Sequence, residues 1–201
     1  MLFFDEFGTQ RGMTRHYGRA KGGQRAYGKA PDNPGTSVTL VMGLRLGGIV
    51  APFAFEGAMD GTTWNQYIDK QVVPILRKGD IVVVDRLGAH RTVESRRAVR
   101  ARGALYWMLP GYSPEFNPVE QAGSKVKQSL RGEQAQDLEG LYQAMGRAIG
   151  KVTPSDARGW FRHAGYLPKL GHSKRRRKKH APAERPTKGE LPQAGARAPP
   201  V

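Results

Sequence analysis

The stretch "GDIVVVD", Gly79 to Asp85, constrains the fold more than any other part of this chain. Ile81 to Val84 are all β-branched and apolar, so the segment offers no face to water. That is the pattern of a strand inside a parallel sheet, covered on both sides. The flanking sequence supplies covers. "TTWNQYIDKQVVPIL" (Thr62–Leu76) places Trp64, Ile68, Val72 and Ile75 on one helical face, with Pro74 limiting its last turn. Thr92 to Arg102 reads as a basic helix ended by Gly103, and "ALYWML" (Ala104–Leu109) as the next strand.

The other segments extend the alternation. "LFFDE" (Leu2–Glu6) is a short aromatic strand, and Ser37 to Gly57 is a hairpin of two apolar runs around Gly47-Gly48. Helix signals resume at Asn117. Leu138, Leu141, Met145, Ile149 and Val152 mark an amphipathic helix, and a last short helix covers Ser155 to Ala164. Trp64, Tyr67, Trp107 and Trp160 are expected in the core. The order predicts an α/β domain: one mixed sheet flanked by helices, with parallel pairing across the crossovers and an antiparallel hairpin.

This domain is expected to span residues 1–167. From Pro168 to Val201 the chain is rich in Pro, Gly, Ala, Lys and Arg and nearly lacks large apolar residues, so a disordered basic tail is expected. It contains "SKRRRKKH" (Ser173–His180), either a solvated basic run or a sequence-independent phosphate contact. The net charge is +16, and the tail carries half of it. The body is therefore basic in its own right, which points to a polyanionic partner such as nucleic acid. With no cysteine, disulfides and thiol catalysis are excluded. No apolar run approaches the roughly 20 residues that span a bilayer, and "MLFFDEFG" lacks the features of a signal peptide. A cytoplasmic protein with no membrane partner is expected.

Three acids sit where chemistry is possible. Asp5 and Asp85 each end an apolar strand, and ligands of open α/β sheets gather at such ends. Glu120 follows Asn117-Pro118-Val119 at the start of a helix. Asn117 as N-cap, Pro118 at N1 and Glu120 at N3 would form a capping box, so Glu120 either caps its helix or is aimed at something. Together the acids form an oxygen-rich set suited to Mg²⁺. "GQRAYGKA" (Gly23–Ala30) matches most of a phosphate-binding loop, but Ala30 replaces the Ser/Thr such a loop needs, so nucleotide binding is rejected. Arg19, Lys21, Arg25 and Lys29 instead read as a basic arm over DNA or as a solvated loop. Glu6 should point to the face opposite Asp5.

"FFDEFG", "GDIVVVDRLGAH" and "LPGYSPEFNPVEQAGSKVKQSLR" resemble the three motif blocks of DDE-type transposases of bacterial insertion sequences related to the mariner elements. The 34 residues between Asp85 and Glu120 match the spacing of that group, and the similarity runs from about Leu2 to Leu167. The resemblance implies an RNase H-like fold in which Asp5, Asp85 and Glu120 hold two Mg²⁺ or Mn²⁺ ions for DNA cleavage and strand transfer. It implies double-stranded DNA at element ends and target as partner, a homodimer on DNA, and nucleoid association. Arg91, Lys125, Lys127 and Arg131 join the arm as expected DNA contacts, with His90 and Asn117 supporting. The helix-turn-helix region that should precede such a domain is not in this sequence, so an upstream partner or frameshift fusion is expected to supply it. Arg86, Gly111 and Gly123 depart from the family pattern, which usually has Asn, Pro and a bulky residue there. A catalytically inactive remnant that only binds DNA is the alternative.

Overall fold

Five strands form one mixed sheet in the order β3-β2-β1-β4-β5. The computed structural model describes residues 1–15, 17–27, 35 and 37–168. The strands are β1 (Leu2–Thr9), β2 (Val38–Arg45), β3 (Gly48–Glu56), β4 (Ile81–Val84) and β5 (Leu105–Met108). The first three pair antiparallel, and β4 runs parallel to β1 and to β5. The apolar run is thus an interior parallel strand and Ser37–Gly57 a hairpin, as the sequence predicts. The tail beyond Pro168 and Lys29 lie outside the described residues.

The helices are α1 (Gly61–Tyr67), α2 (Val93–Ala101), α3 (Val119–Glu133), α4 (Leu138–Gly150) and α5 (Pro154–His163). α1 continues as a π-helical segment, Ile68–Val72, and a 3₁₀ turn, Val73–Ile75. Pro74 lies in that turn, where the missing N–H ends regular α geometry. Alternation along β1 builds two cores. Phe3 and Phe7 pack with Val126, Leu141, Met145 and Phe161 from α3, α4 and α5. Leu2 and Phe4 pack with Trp64, Ile68, Val72 and Val99 on the other side.

Trp107 corrects the expectation that it joins the core: it is 61% exposed, beside Leu105 at 56%. β5 is the edge strand, and α2 covers only the face that carries Tyr106 and Met108. Trp64 and Tyr67 are buried as expected, and Trp160 is partly buried.

Gly123 is also not the packing loss that a missing bulky side chain suggests. It is buried, and a Cβ built on it would fall 2.1 Å from Cε1 of Phe7. The Phe7 ring occupies the volume a larger residue would fill, so the pair is complementary. Gly123→Ala is therefore expected to lower stability by about 1–3 kcal/mol through overpacking. Adding Phe7→Leu should recover part of that loss in thermal denaturation; strictly additive losses would remove the complementarity.

Candidate active site

β1 and β4 are parallel neighbours, with Leu2 opposite Val82 and Phe3 opposite Val83. Carried two residues further, that register sets Asp5 beside Asp85, just past the end of β4. Asp5 does not end its strand, as the sequence suggests: β1 runs on to Thr9, because Phe7 and Thr9 keep burying against the core and pairing with β2. α3 packs against β1 and carries Glu120 in its first turn. The three acids thus approach from the middle of β1, the end of β4 and the start of α3.

Each acid has a distinct setting. Asp5 is buried; its Oδ1 accepts the Glu6 backbone N–H at 2.9 Å and its Oδ2 accepts Asn117 Nδ2 at 3.2 Å. Burial, then the negative charges of Glu120, Glu6 and Asp85, push its pKa up to about 8. Asp85 is half-exposed, and its Oδ1 accepts the Leu87 N–H at 2.9 Å while contacting His90 Nδ1 at 2.6 Å. Partial burial opposes ionisation, but His90 and the Leu87 N–H outweigh it and hold Asp85 below the usual carboxylate range. Glu120 is half-buried; its N–H donates to the Asn117 carbonyl at 3.1 Å, and its carboxylate has no hydrogen-bond or ion-pair partner among the described residues.

The capping box expected at Asn117 does not form. α3 begins at Val119 with Pro118 as N-cap and no side-chain cap bond. The Asn117 side chain instead reaches across the fold to Asp5, so its amide is spent on a tertiary contact. Capping therefore does not compete for the Glu120 carboxylate. A capping box does occur elsewhere, between Thr153 and Asp156 at the start of α5.

His90 is completely buried, with its ring 4.0 Å from that of Trp64. Its Nε2 lies 3.1 Å from Glu6 Oε2, an ion-pair distance whose alignment falls short of a hydrogen bond. Burial alone would lower the imidazole's pKa, but the bond to Asp85 and the Glu6 carboxylate raise it to about 9. The His90 carbonyl accepts the Tyr106 hydroxyl at 2.8 Å, and Trp64 Nε1 donates to that hydroxyl at 3.2 Å. Glu6 lies on the face opposite Asp5, as alternation requires. No local signal announces that His90 meets it there, because that contact depends on how the loop after β4 folds.

Asp85, Asn117 and Glu120 line a groove of about 530 Å³, with Arg86, Arg91 and the turn from Leu109 to Pro114. Asp5 is buried behind the Asn117 amide. Among the described residues no group of three or more His, Asp or Glu is gathered tightly enough to hold a metal ion. The donor set is nevertheless all carboxylate oxygen, the chemistry that suits a hard divalent cation.

The expected DNA contacts are divided. Arg19, Lys21 and Arg25 are exposed, and Arg91 is exposed at the groove with Nε donating to the Arg86 carbonyl at 3.1 Å. Lys125 is ion-paired to Asp156 at 2.6 Å, tying α3 to α5. Lys127 sits 5.5 Å above the Phe7 ring, and Arg131 is half-buried in the last turn of α3.

A family model described as "DDE superfamily endonuclease" matches residues 1–142. The chain belongs to this family. No curated protein matches this DDE endonuclease in sequence. Its fold is similar to that of the Mos1 mariner paired-end complex with Mn, at a TM-score of 0.64 and 15% identity over 81% of this chain and 52% of that one. The paired-end complex with Mg gives 0.64 and 13% over 81% and 52%. The catalytic domain of Mos1 mariner transposase gives 0.58 and 12% over 81% and 76%. The chain spans about half the length of the Mos1 chains in the paired-end complexes. Identities this low speak to the fold, and they make it the RNase H-like mixed sheet that the sequence implies. No helix among the described residues is long and apolar enough to cross a membrane.

Proposed function

We propose that this DDE endonuclease is the catalytic portion of an insertion-sequence transposase, which cuts DNA at element ends and joins a 3′-hydroxyl into target DNA. What supports the reading is the placement of Asp5, Asp85 and Glu120 on the neighbouring elements β1, β4 and α3, with Asn117 beside Glu120 bonded to Asp5, within a strongly basic protein. These three residues would hold two Mg²⁺ or Mn²⁺ ions. Such ions polarise the phosphodiester and make water or a DNA hydroxyl a competent nucleophile.

The chain's own residues do the rest. His90 fixes Asp85 through Oδ1 and leaves Oδ2 without a partner among the described residues. Asn117 holds Asp5 in its buried position. Arg86 and Arg91 line the groove and present positive charge to phosphates, while Arg19, Lys21, Arg25, Lys29, Lys127 and Arg131 extend backbone contact. Double-stranded DNA is the partner, bound by a homodimer, with end recognition supplied by a helix-turn-helix segment. The setting is the cytoplasm, on the nucleoid. The paired-end structures of Mos1 with Mn and Mg and its strand transfer complex are consistent with this class of reaction.

The test is Mg²⁺-dependent nicking of supercoiled plasmid, together with binding of Mn²⁺ followed by its electron spin resonance. A second reading, a DNA-binding remnant without catalysis, is favoured by the loose spacing of the three acids. It predicts salt-sensitive DNA binding with neither nicked product nor bound Mn²⁺, and that result would replace the first reading.

His90→Ala frees the Asp85 carboxylate to rotate. Residues that orient metal ligands typically contribute about 10–100-fold to metal affinity or activity. The expected result is a loss of that size in Mn²⁺ affinity, with DNA binding at low metal unchanged. Equal Mn²⁺ binding by variant and wild type would show that His90 only fills the core.

A further inference from the structure

Among the described residues, three that are not glycine have positive φ: Ala51 at 48°, Tyr112 at 55° and Gln134 at 51°. The fold accounts for two of them. Gln134 is the left-handed C-cap of α3, its N–H bonded to the Leu130 carbonyl. Ala51 lies in the strand irregularity between β2 and β3, where its carbonyl accepts the Tyr67 hydroxyl at 2.7 Å.

Tyr112 has no such reason. It sits in the turn between β5 and α3, which is anchored on both sides. Leu109 N–H bonds the Val84 carbonyl at 2.8 Å, the Phe116 carbonyl accepts the Tyr166 hydroxyl at 2.9 Å, and Asn117 bonds Asp5. Gly111, next in the chain, could take a positive φ freely, yet it does not. The conformation falls on a bulky aromatic residue, where it is disfavoured. The ring gains nothing from the fold: it is 106% exposed, and its hydroxyl has no partner among the described residues.

The turn therefore presents a free aromatic face on the wall of the groove that also contains Asp85, Glu120, Arg86 and Arg91. The chemistry around the ring selects its partner. Arginines and Ser113 suit a phosphate backbone, and a flat face beside them suits a nucleobase. We propose that Tyr112 is a substrate-contacting residue whose ring stacks on the base of an unpaired or frayed nucleotide beside the scissile phosphate. This rests on the reading of the groove as a DNA site. Because every base has a π-face, the contact tolerates any sequence.

The test uses the full chain and a nicked duplex carrying 2-aminopurine next to the nick, in Ca²⁺ to suppress cleavage. Wild type and Tyr112→Phe should quench the fluorescence. Tyr112→Ala and Tyr112→Gly should not, and should bind about tenfold more weakly. Tyr112→Gly should melt no lower than wild type, because glycine accepts the turn without strain. Absence of quenching by wild type, equal quenching by Tyr112→Ala, or a lower melting temperature for Tyr112→Gly would each overturn the proposal. Plasmid nicking separates the two claims. Wild type that quenches through Tyr112 but never nicks keeps the base contact and loses the catalytic reading. Wild type that nicks, with Tyr112→Ala equal to it in quenching and cutting, does the reverse.

Discussion

Glu120→Gln is expected to leave a folded, DNA-binding protein whose cleavage rate falls by about a thousandfold or more, the scale of several kcal/mol of charge stabilisation at a reacting phosphate. The fold should survive because Glu120 supports none of it. The side chain caps nothing, bonds nothing among the described residues, and sits half-buried at a groove wall. Glutamine keeps its volume and removes its charge. Asp85→Asn should be equally inactive but less innocent structurally, since it weakens the contact to buried His90. Circular dichroism and a melting curve for Glu120→Gln, beside a nicking assay with Mg²⁺ and with Mn²⁺, separate the effects. Wild-type nicking by Glu120→Gln would remove Glu120 from the site.

The second large effect concerns pH. Asp5 has its pKa raised from 3.8 to about 8 in the folded chain, so the native state keeps a proton that the unfolded chain releases. Stability without metal must therefore fall as pH rises from about 4 through 8, by up to several kcal/mol. His90 adds a loss in the same direction: raised to about 9, it contributes stability fully present below pH 6.5 and lost as pH climbs through 9. Asp5→Asn removes the first loss. Its melting temperature should exceed that of wild type at pH 8, with the difference shrinking toward pH 4. Divalent cation should act oppositely, stabilising wild type more at pH 8 than at pH 5, because it competes with the proton on Asp5. Parallel melting curves for wild type and Asp5→Asn across this range would show that neither burial nor the neighbouring acids hold a proton on Asp5.

Much of the fold was legible because the signals were local and strong. A run of four β-branched residues, two apolar strands around a glycine pair, and the spacing from Leu138 to Ile149 each admit few conformations. That Asp5, Asp85 and Glu120 ride on neighbouring elements was legible through motif order and spacing. What escaped was decided by partners distant in sequence. Asn117 carries a good local cap signal, but an amide bond to Asp5 overrides it. Gly123 reads as a vacancy until Phe7 is seen to fill it. Trp107 reads as core until strand order puts β5 at the sheet's edge. Lys125 reads as a free cation until α5 brings Asp156 alongside.

The sheet order bears on when the proposed cleavage activity could first arise. β1 is made first, β4 some eighty residues later, and the helix bearing Glu120 later still. Since β1 and β4 touch only as parallel neighbours, no hairpin can assemble part of the centre early. On the proposed reading, a polypeptide still emerging from the ribosome would carry the basic residues that hold DNA before it could cut any. The order of synthesis would then act as a safety catch, released only when the last of the three acids has docked.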